Sequence, residues 1–183
     1  MNGKIKVKQL SLIGVMGALV FVSSSISFQI GEVSRLHLGN VMCLLSGFIL
    51  GPFGGGFAAG IGSVLYDFTN PLYTPSAPFT FVFKFIMAFI CGKIAYSRNS
   101  NALDLKMNVL AAVAGNFSYT LLYTGRAFAE NLFLYGMKTT PAMIAAGQKF
   151  YVSLINLIIA CIVSVPLAQT LKQTFAKLNI NSR

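Results

Sequence analysis

The chain is a succession of apolar stretches interrupted by short runs of glycine, proline and polar residues. That pattern fixes the solvent before it fixes the fold. Of 183 residues, 55% are hydrophobic and only 10% are charged, whereas an ordinary soluble domain carries about 25% charged residues. One water-soluble core of this size could not bury so much apolar surface. The bilayer is the solvent that suits it. Six stretches read as membrane helices, at about 9–28, 38–50, 57–68, 79–96, 107–128 and 149–171. Each crossing needs about 20 residues, so six of them use roughly 120 and leave room only for short connections. The expected fold is an all-α integral membrane bundle, a single domain over residues 1–183 with both termini on one side.

The connections carry their own signals. Gly51-Pro52-Phe53-Gly54-Gly55-Gly56 predicts a tight turn between two short segments. Pro71, Pro75 and Pro78 predict an extended loop over 69–78. The stretches 29–37, 97–106 and 129–148 read as polar connections. Lys4, Lys6 and Lys8 precede the first segment as they would in a signal peptide. The apolar run is long, however, and no small-residue cleavage site follows, so it reads as a retained first helix.

The net charge of +10 is topological. The 14 Lys and Arg residues are scattered at segment ends, with no basic helix or Arg-rich run, and nucleic acid is not an expected partner. A cytoplasmic N-terminus puts Lys4, Lys6, Lys8, Lys93, Arg98, Lys106, Lys172, Lys177 and Arg183 inside. Arg35, Lys84, Arg126, Lys138 and Lys149 are then outside or at membrane depth. Nine against five supports that orientation. Cys43, Cys91 and Cys161 all lie in apolar stretches, odd in number and in no metal-binding spacing, and read as packing thiols.

Gly47, Gly51 and Gly55 are spaced by four, as are Gly56 and Gly60. Small residues at this spacing let helix backbones approach closely in lipid. A phosphate loop is excluded, because no Gly-Lys-Ser/Thr follows. Gly14 and Ala18 form a second small pair, either packing within the bundle or docking a partner's helix.

Ionisable and polar residues at membrane depth are costly and usually face a cavity or a partner. Asp67 ends the third segment and Lys84 sits about one turn into the fourth, so the two could form a structural ion pair or contact a substrate. In the fifth segment Asn116, Tyr119, Tyr123 and Arg126 are spaced 3, 4 and 3, on one helical stripe that Glu130 extends if the helix continues. Lys149, Ser153 and Asn156 form a similar stripe in the sixth. Such stripes should face inward, because lipid offers no hydrogen bonds. Tyr rings stack on flat heterocycles while Asn and Arg give directional hydrogen bonds, so the fifth-segment stripe is read as ligand-binding. His37 is the only histidine. It reads as a segment-start capping or interface residue, or as part of the ligand site. With no second His and no paired carboxylates, neither a metal, a cofactor nor acid–base catalysis is expected.

The run Arg35-Leu36-His37-Leu38-Gly39-Asn40, the glycine turn at 51–56, Gly60-Ile61-Gly62-Ser63 and Asp67 resemble the substrate-binding S components of energy-coupling factor (ECF) vitamin transporters. The likeness continues through Pro78-Phe79-Thr80-Phe81 and Lys84 to Gly92. The Leu-His-Leu-Gly-Asn run is most similar to the hydroxymethylpyrimidine or pyridoxine branch. The resemblance implies a high-affinity vitamin binder that joins a transmembrane scaffold subunit and two cytoplasmic ATPases, and that topples in the membrane to deliver its ligand. It places the pocket in the outer loops and the outer halves of the fourth to sixth helices. It also aligns a docking pattern of two small residues with Gly14 and Ala18. The alternatives are a self-sufficient secondary transporter, which would need an embedded titratable carboxylate with Asp67 the one candidate, and a membrane enzyme or assembly factor.

Overall fold

The computed structural model describes residues 7–30, 34–97 and 100–177. Helix α1 (Val7–Ser25) is followed by strands β1 (Ser27–Ile30) and β2 (Ser34–His37), and by helices α2 (Gly39–Phe68), α3 (Ala77–Ala95), α4 (Leu105–Ala129) and α5 (Thr139–Lys177). Helices α2, α3, α4 and α5 pack in a closed ring, and α1 lies on α2. Four helical stretches are long and apolar enough to cross a membrane: Val7–Ser25, Gly39–Phe68, Thr74–Ala95 and Thr139–Phe175. Helix α4 has the length, at 25 residues, but carries the polar stripe that lowers its hydropathy.

Helix α2 is two helical arms. Gly51 sits at φ 76° and ψ −172°, a backbone conformation open to glycine, and Pro52 follows it. The chain reverses there. Residues eight apart in a straight helix are separated by about 12 Å. Here a Cβ added to Gly55 would stand 2.5 Å from the Gly47 Cα. The arms can touch only because both positions lack side chains. Ser46 Oγ donates to Gly55 O at 3.0 Å across the same seam, and Cys43 Sγ meets Ser63 Oγ at 3.8 Å.

The reversal strips the Phe48 and Ile49 carbonyls of helical partners, because Pro52 has no N–H and Gly51 is out of register. The Tyr96 hydroxyl, just past α3, reaches both carbonyls at 2.9 and 3.1 Å. Lys172 Nζ of α5 reaches Ile49 O at 3.4 Å and donates to the Tyr96 hydroxyl. A cation at a helix C-terminus also opposes the local dipole. Two distant side chains thus finish the end of the first arm.

Three connections differ from the sequence reading. Residues 27–37 hold an antiparallel pair of strands that matches Ser27 with His37 and Ile30 with Ser34, so among the described residues the fold is helical but for two short strands. Four-residue strands carry too little alternation to be read from sequence. The 69–78 loop is not extended. Asn70 caps a turn by accepting from Leu72 N at 3.0 Å, and a 3-10 turn spans Thr74–Ser76 with proline at its start. The 129–148 connection is largely helical. A π-turn covers Glu130–Leu134, and α5 begins at Thr139, ten residues before the expected start. Pro141 lies in the first turn of α5, where a missing N–H costs nothing, so it opens a helix rather than marking a loop.

The core is built from Val20, Leu44, Phe48 and Met87, all fully buried. Phe81, Phe85 and Phe89 form a stacked ladder along α3, with ring centroids 6.1 and 5.9 Å apart, and Phe81 and Phe85 fill the space left by Gly60 and Gly56.

Candidate functional site

Three helices deliver polar side chains to one buried place. Asn40 comes from the first turn of α2 and Asp67 from its last. The reversal at Gly51 returns these two ends, 27 positions apart, to the same end of the bundle. Lys84 comes from α3, and Asn116 and Tyr119 from α4. Asn40, Asp67, Lys84 and Asn116 are all buried, and Tyr119 is half-buried.

Lys84 Nζ donates to Asn40 Oδ1 and stands 4.0 Å from the centre of the Tyr119 ring. Asn40 Nδ2 in turn donates to Asn116 Oδ1 at 3.3 Å. The buried ammonium is therefore met by an amide oxygen and a π face. The Asp67–Lys84 ion pair offered as one account of these residues is not formed. Among the described residues the ion pair is Arg126–Glu130. Asp67 lies beside the Thr80 side chain, and its Oδ2 is buried with no partner. Asn116 Nδ2 is likewise buried and unpartnered. One acceptor and one donor are thus left open beside a network that is otherwise paired.

The fifth-segment stripe is split by the structure. Asn116 is fully buried and continues inward as Thr120 and Thr124. The Thr120 hydroxyl donates to Asn116 O at 3.1 Å and Thr124 to Thr120 O at 2.7 Å. Tyr119, Tyr123 and Arg126 run along the flank of that face and are half-buried. The Tyr119 and Tyr123 rings stack, 5.8 Å apart and 12° from parallel, and Lys149 Nζ lies 5.8 Å from the centre of the Tyr123 ring. Arg126 is engaged by the protein itself. Its Nε donates to Glu130 Oε1 at 2.8 Å, its Nη2 to Ser76 Oγ at 3.2 Å, and its guanidinium lies 4.0 Å over Phe79. It pins the 3-10 turn to the end of α4. Asn156 is buried on α5 and donates to Val152 O at 3.3 Å. The backbone of His37 closes β2 three residues before Asn40, and its side chain lies outside the described residues.

Sequence reasoning passed over Asn40 as a site residue, along with Thr120 and Thr124. The signal was present. Polar residues at positions 116, 120 and 124 repeat every four, the spacing of one helical face, and Asn40 opens an otherwise apolar segment.

Gly14 and Ala18 are exposed on α1, and nothing stands within 4 Å of a Cβ added at Gly14. Gly17, beside them, faces the other way and packs on α2 at Ala58 and Gly62. Among the described residues no three His, Cys, Asp or Glu side chains gather in a group that could hold a metal ion.

The sequence model of the family described as ECF-type riboflavin transporter, S component, matches residues 4–173. That agrees with the resemblance to S components, but not with the hydroxymethylpyrimidine or pyridoxine branch, which rested on one five-residue run. No curated protein matches the chain. The match covers nearly the whole length, and the chain belongs to the ECF-type riboflavin transporter S-component family, the substrate-specific membrane subunits of ECF transporters.

Proposed function

We propose that the chain binds riboflavin, or a flavin close to it, in the space bordered by Asp67, Lys84, Asn116, Tyr119 and Tyr123. The observation that carries this reading is the pair of unpartnered buried atoms, Asp67 Oδ2 and Asn116 Nδ2. Leaving such atoms unpaired is costly, so a binding protein gains by having its ligand complete them. The dione edge of a flavin ring offers an N–H between two carbonyl oxygens, a donor and acceptors on one rim. The flat tricycle also suits the stacked Tyr119 and Tyr123 rings. Lys149 and Arg126 stand at the mouth, with His37 and Asn156 as further contacts.

In this reading six helical segments span the membrane, the two arms of α2 counting as two, and both termini are cytoplasmic. The excess of Lys and Arg at the ends assigned to the cytoplasm supports the orientation. The exposed Gly14 and Ala18 present a flat strip for a transmembrane scaffold subunit, and two cytoplasmic ATPases supply the energy of import. A second reading, uptake without partners, finds its one support in the buried Asp67 carboxyl.

Riboflavin fluorescence, titrated against the purified protein in lipid nanodiscs without ATP, tests the proposal. Quenching with a submicromolar Kd is expected, weakened about tenfold or more in Asn116→Leu, as loss of a buried hydrogen bond implies. Absence of quenching, with pyridoxine or hydroxymethylpyrimidine bound instead, would move the chain to another vitamin. Riboflavin uptake into vesicles lacking any ATPase would promote the second reading.

A further inference from the structure

A carboxamide is nearly symmetric in shape and wholly asymmetric in polarity. Turned one way it offers a ligand two N–H donors, and turned the other way it offers an acceptor oxygen. Asn116 is fully buried, so no water is present to make the two orientations equivalent. Which end it shows to the candidate site is decided by its neighbours.

The decision begins at Lys84. Its ammonium is buried, donates to Asn40 Oδ1 and is held against the Tyr119 ring, 4.0 Å from its centre. An ammonium has hydrogens and no lone pair, so Asn40 meets it in one orientation only. Turning Asn40 over would set N–H against N–H beside a buried charge. Asn40 Nδ2 therefore points to Asn116 and donates to its Oδ1 at 3.3 Å. Asn116 is left with Nδ2 buried and unpartnered. The second unpartnered atom, Asp67 Oδ2, is a carboxyl oxygen.

We infer that Lys84 is a positioning residue for ligand selection. Acting through Asn40, it locks the Asn116 carboxamide with its N–H groups toward the ligand. This point of the site then takes a carbonyl or other acceptor and rejects an amine. The inference rests on the reading of these residues as the ligand site, and adds which polarity the ligand must have there and what sets it. A ring carbonyl of a flavin meets the requirement. An aminopyrimidine that puts its amine at the same point does not.

Protein isotopically labelled at asparagine nitrogen, in nanodiscs without ligand, supplies the test. Carboxamide protons move downfield in the NMR spectrum when they donate a hydrogen bond. The two signals are assigned by their loss in Asn40→Asp and Asn116→Asp. The parent should show one Asn40 proton downfield and neither Asn116 proton shifted. Lys84→Gln gives Asn40 a partner that donates or accepts, so the direction is no longer forced. A second, downfield Asn116 signal is expected. With equal populations, riboflavin affinity falls about twofold, the fraction of competent protein. Lys84→Met removes the polar partner altogether and should release the direction too, should the glutamine variant not fold. Asn116→Asp presents only oxygen and should lose about tenfold or more.

An Asn116 spectrum unchanged in a folded Lys84→Gln or Lys84→Met protein overturns the inference. So does a parent spectrum in which an Asn116 proton is already hydrogen-bonded, an observation that needs no Lys84 variant. A loss in Lys84→Gln as large as that in Asn116→Asp overturns it as well, because Lys84 would then touch the ligand itself. A parent that binds no riboflavin sinks the flavin reading alone, and the ligand-free spectra still decide the relay.

Discussion

Asn40 and Asn116, 76 positions apart, share a hydrogen bond in which Asn40 Nδ2 donates to Asn116 Oδ1 at 3.3 Å. The direction of that bond is forced by Lys84. An ammonium can only donate, so the Asn40 oxygen must face it, and the Asn40 nitrogen is left for Asn116. Asn116 then has to present its oxygen, and its own nitrogen is the one without a partner. The open donor in the candidate site thus follows from the buried Lys84 ammonium, two side chains away.

Removing the middle of that relay should destabilise the protein. Asn40→Leu leaves Lys84 without its amide partner, and breaking a buried charge's contact costs about 3 kcal/mol. The double variant Asn40→Leu with Lys84→Met should recover most of the loss, because it removes the charge together with the need to solvate it. Unfolding midpoints in mild detergent measure both. A double variant no more stable than the single one would mean that the relay is not coupled.

Tyr119 is asked to do two things with its ring and nothing with its hydroxyl. The ring faces Lys84 Nζ at 4.0 Å and stacks on Tyr123. Tyr119→Phe should therefore hold flavin affinity within about threefold, whereas Tyr119→Ala should lose about tenfold or more, the range of one cation–π and one stacking contact. Fluorescence titration separates the two. Equal losses in both variants would assign the effect to the hydroxyl.

Much of the architecture was legible because lipid imposes a simple rule on the sequence. Apolar segments, the Gly51-Pro52 turn and the depth of Asp67, Lys84 and Asn116 are all direct consequences of where water is absent. What was not legible depends on tertiary geometry. Asp67 and Lys84 are close in sequence and were natural partners, yet Lys84 takes Asn40, which only the folding-back of α2 brings within reach. Tyr119 and Tyr123 share a stripe with Asn116 on a helical wheel, but the inward direction is set by which side α2 and α3 occupy, and it runs through Thr120 and Thr124. Pro141 marks a helix start or a loop equally well, and the first turn of α5 decides between them.

The two classes of small residue should behave oppositely. A Cβ at Gly55 would press on the Gly47 backbone, so Gly55→Ala should destabilise by about 1–3 kcal/mol or more, as overpacking does. Gly14 has open space around it, so Gly14→Leu should leave the unfolding midpoint and flavin affinity unchanged. If Gly14 lies in the strip that docks the scaffold, the same variant should lose co-purification with the other ECF subunits. A Gly14→Leu protein that still assembles would remove Gly14 from that interface.

The end of the bundle away from the candidate site offers the last test, because the reversal at Gly51 depends on side chains far from it in sequence. Phe48 O and Ile49 O lose their helical donors at the break and have the Tyr96 hydroxyl in their place. Tyr96→Phe removes that donor while keeping the ring, and each buried carbonyl left unpaired costs about 1–3 kcal/mol. Lys172→Met should cost less than Tyr96→Phe, since of the two carbonyls Lys172 Nζ bonds to Ile49 O, at a long 3.4 Å, while the Tyr96 hydroxyl reaches both. The two changes should not add, because Lys172 Nζ and the Tyr96 hydroxyl are bonded to each other and share Ile49 O. Flavin affinity should be unchanged in both variants, since the cap and the pocket lie at opposite ends of the first arm of α2. A Tyr96→Phe protein as stable as the parent would mean that the break at Gly51 finishes the helix without help from α3 or α5.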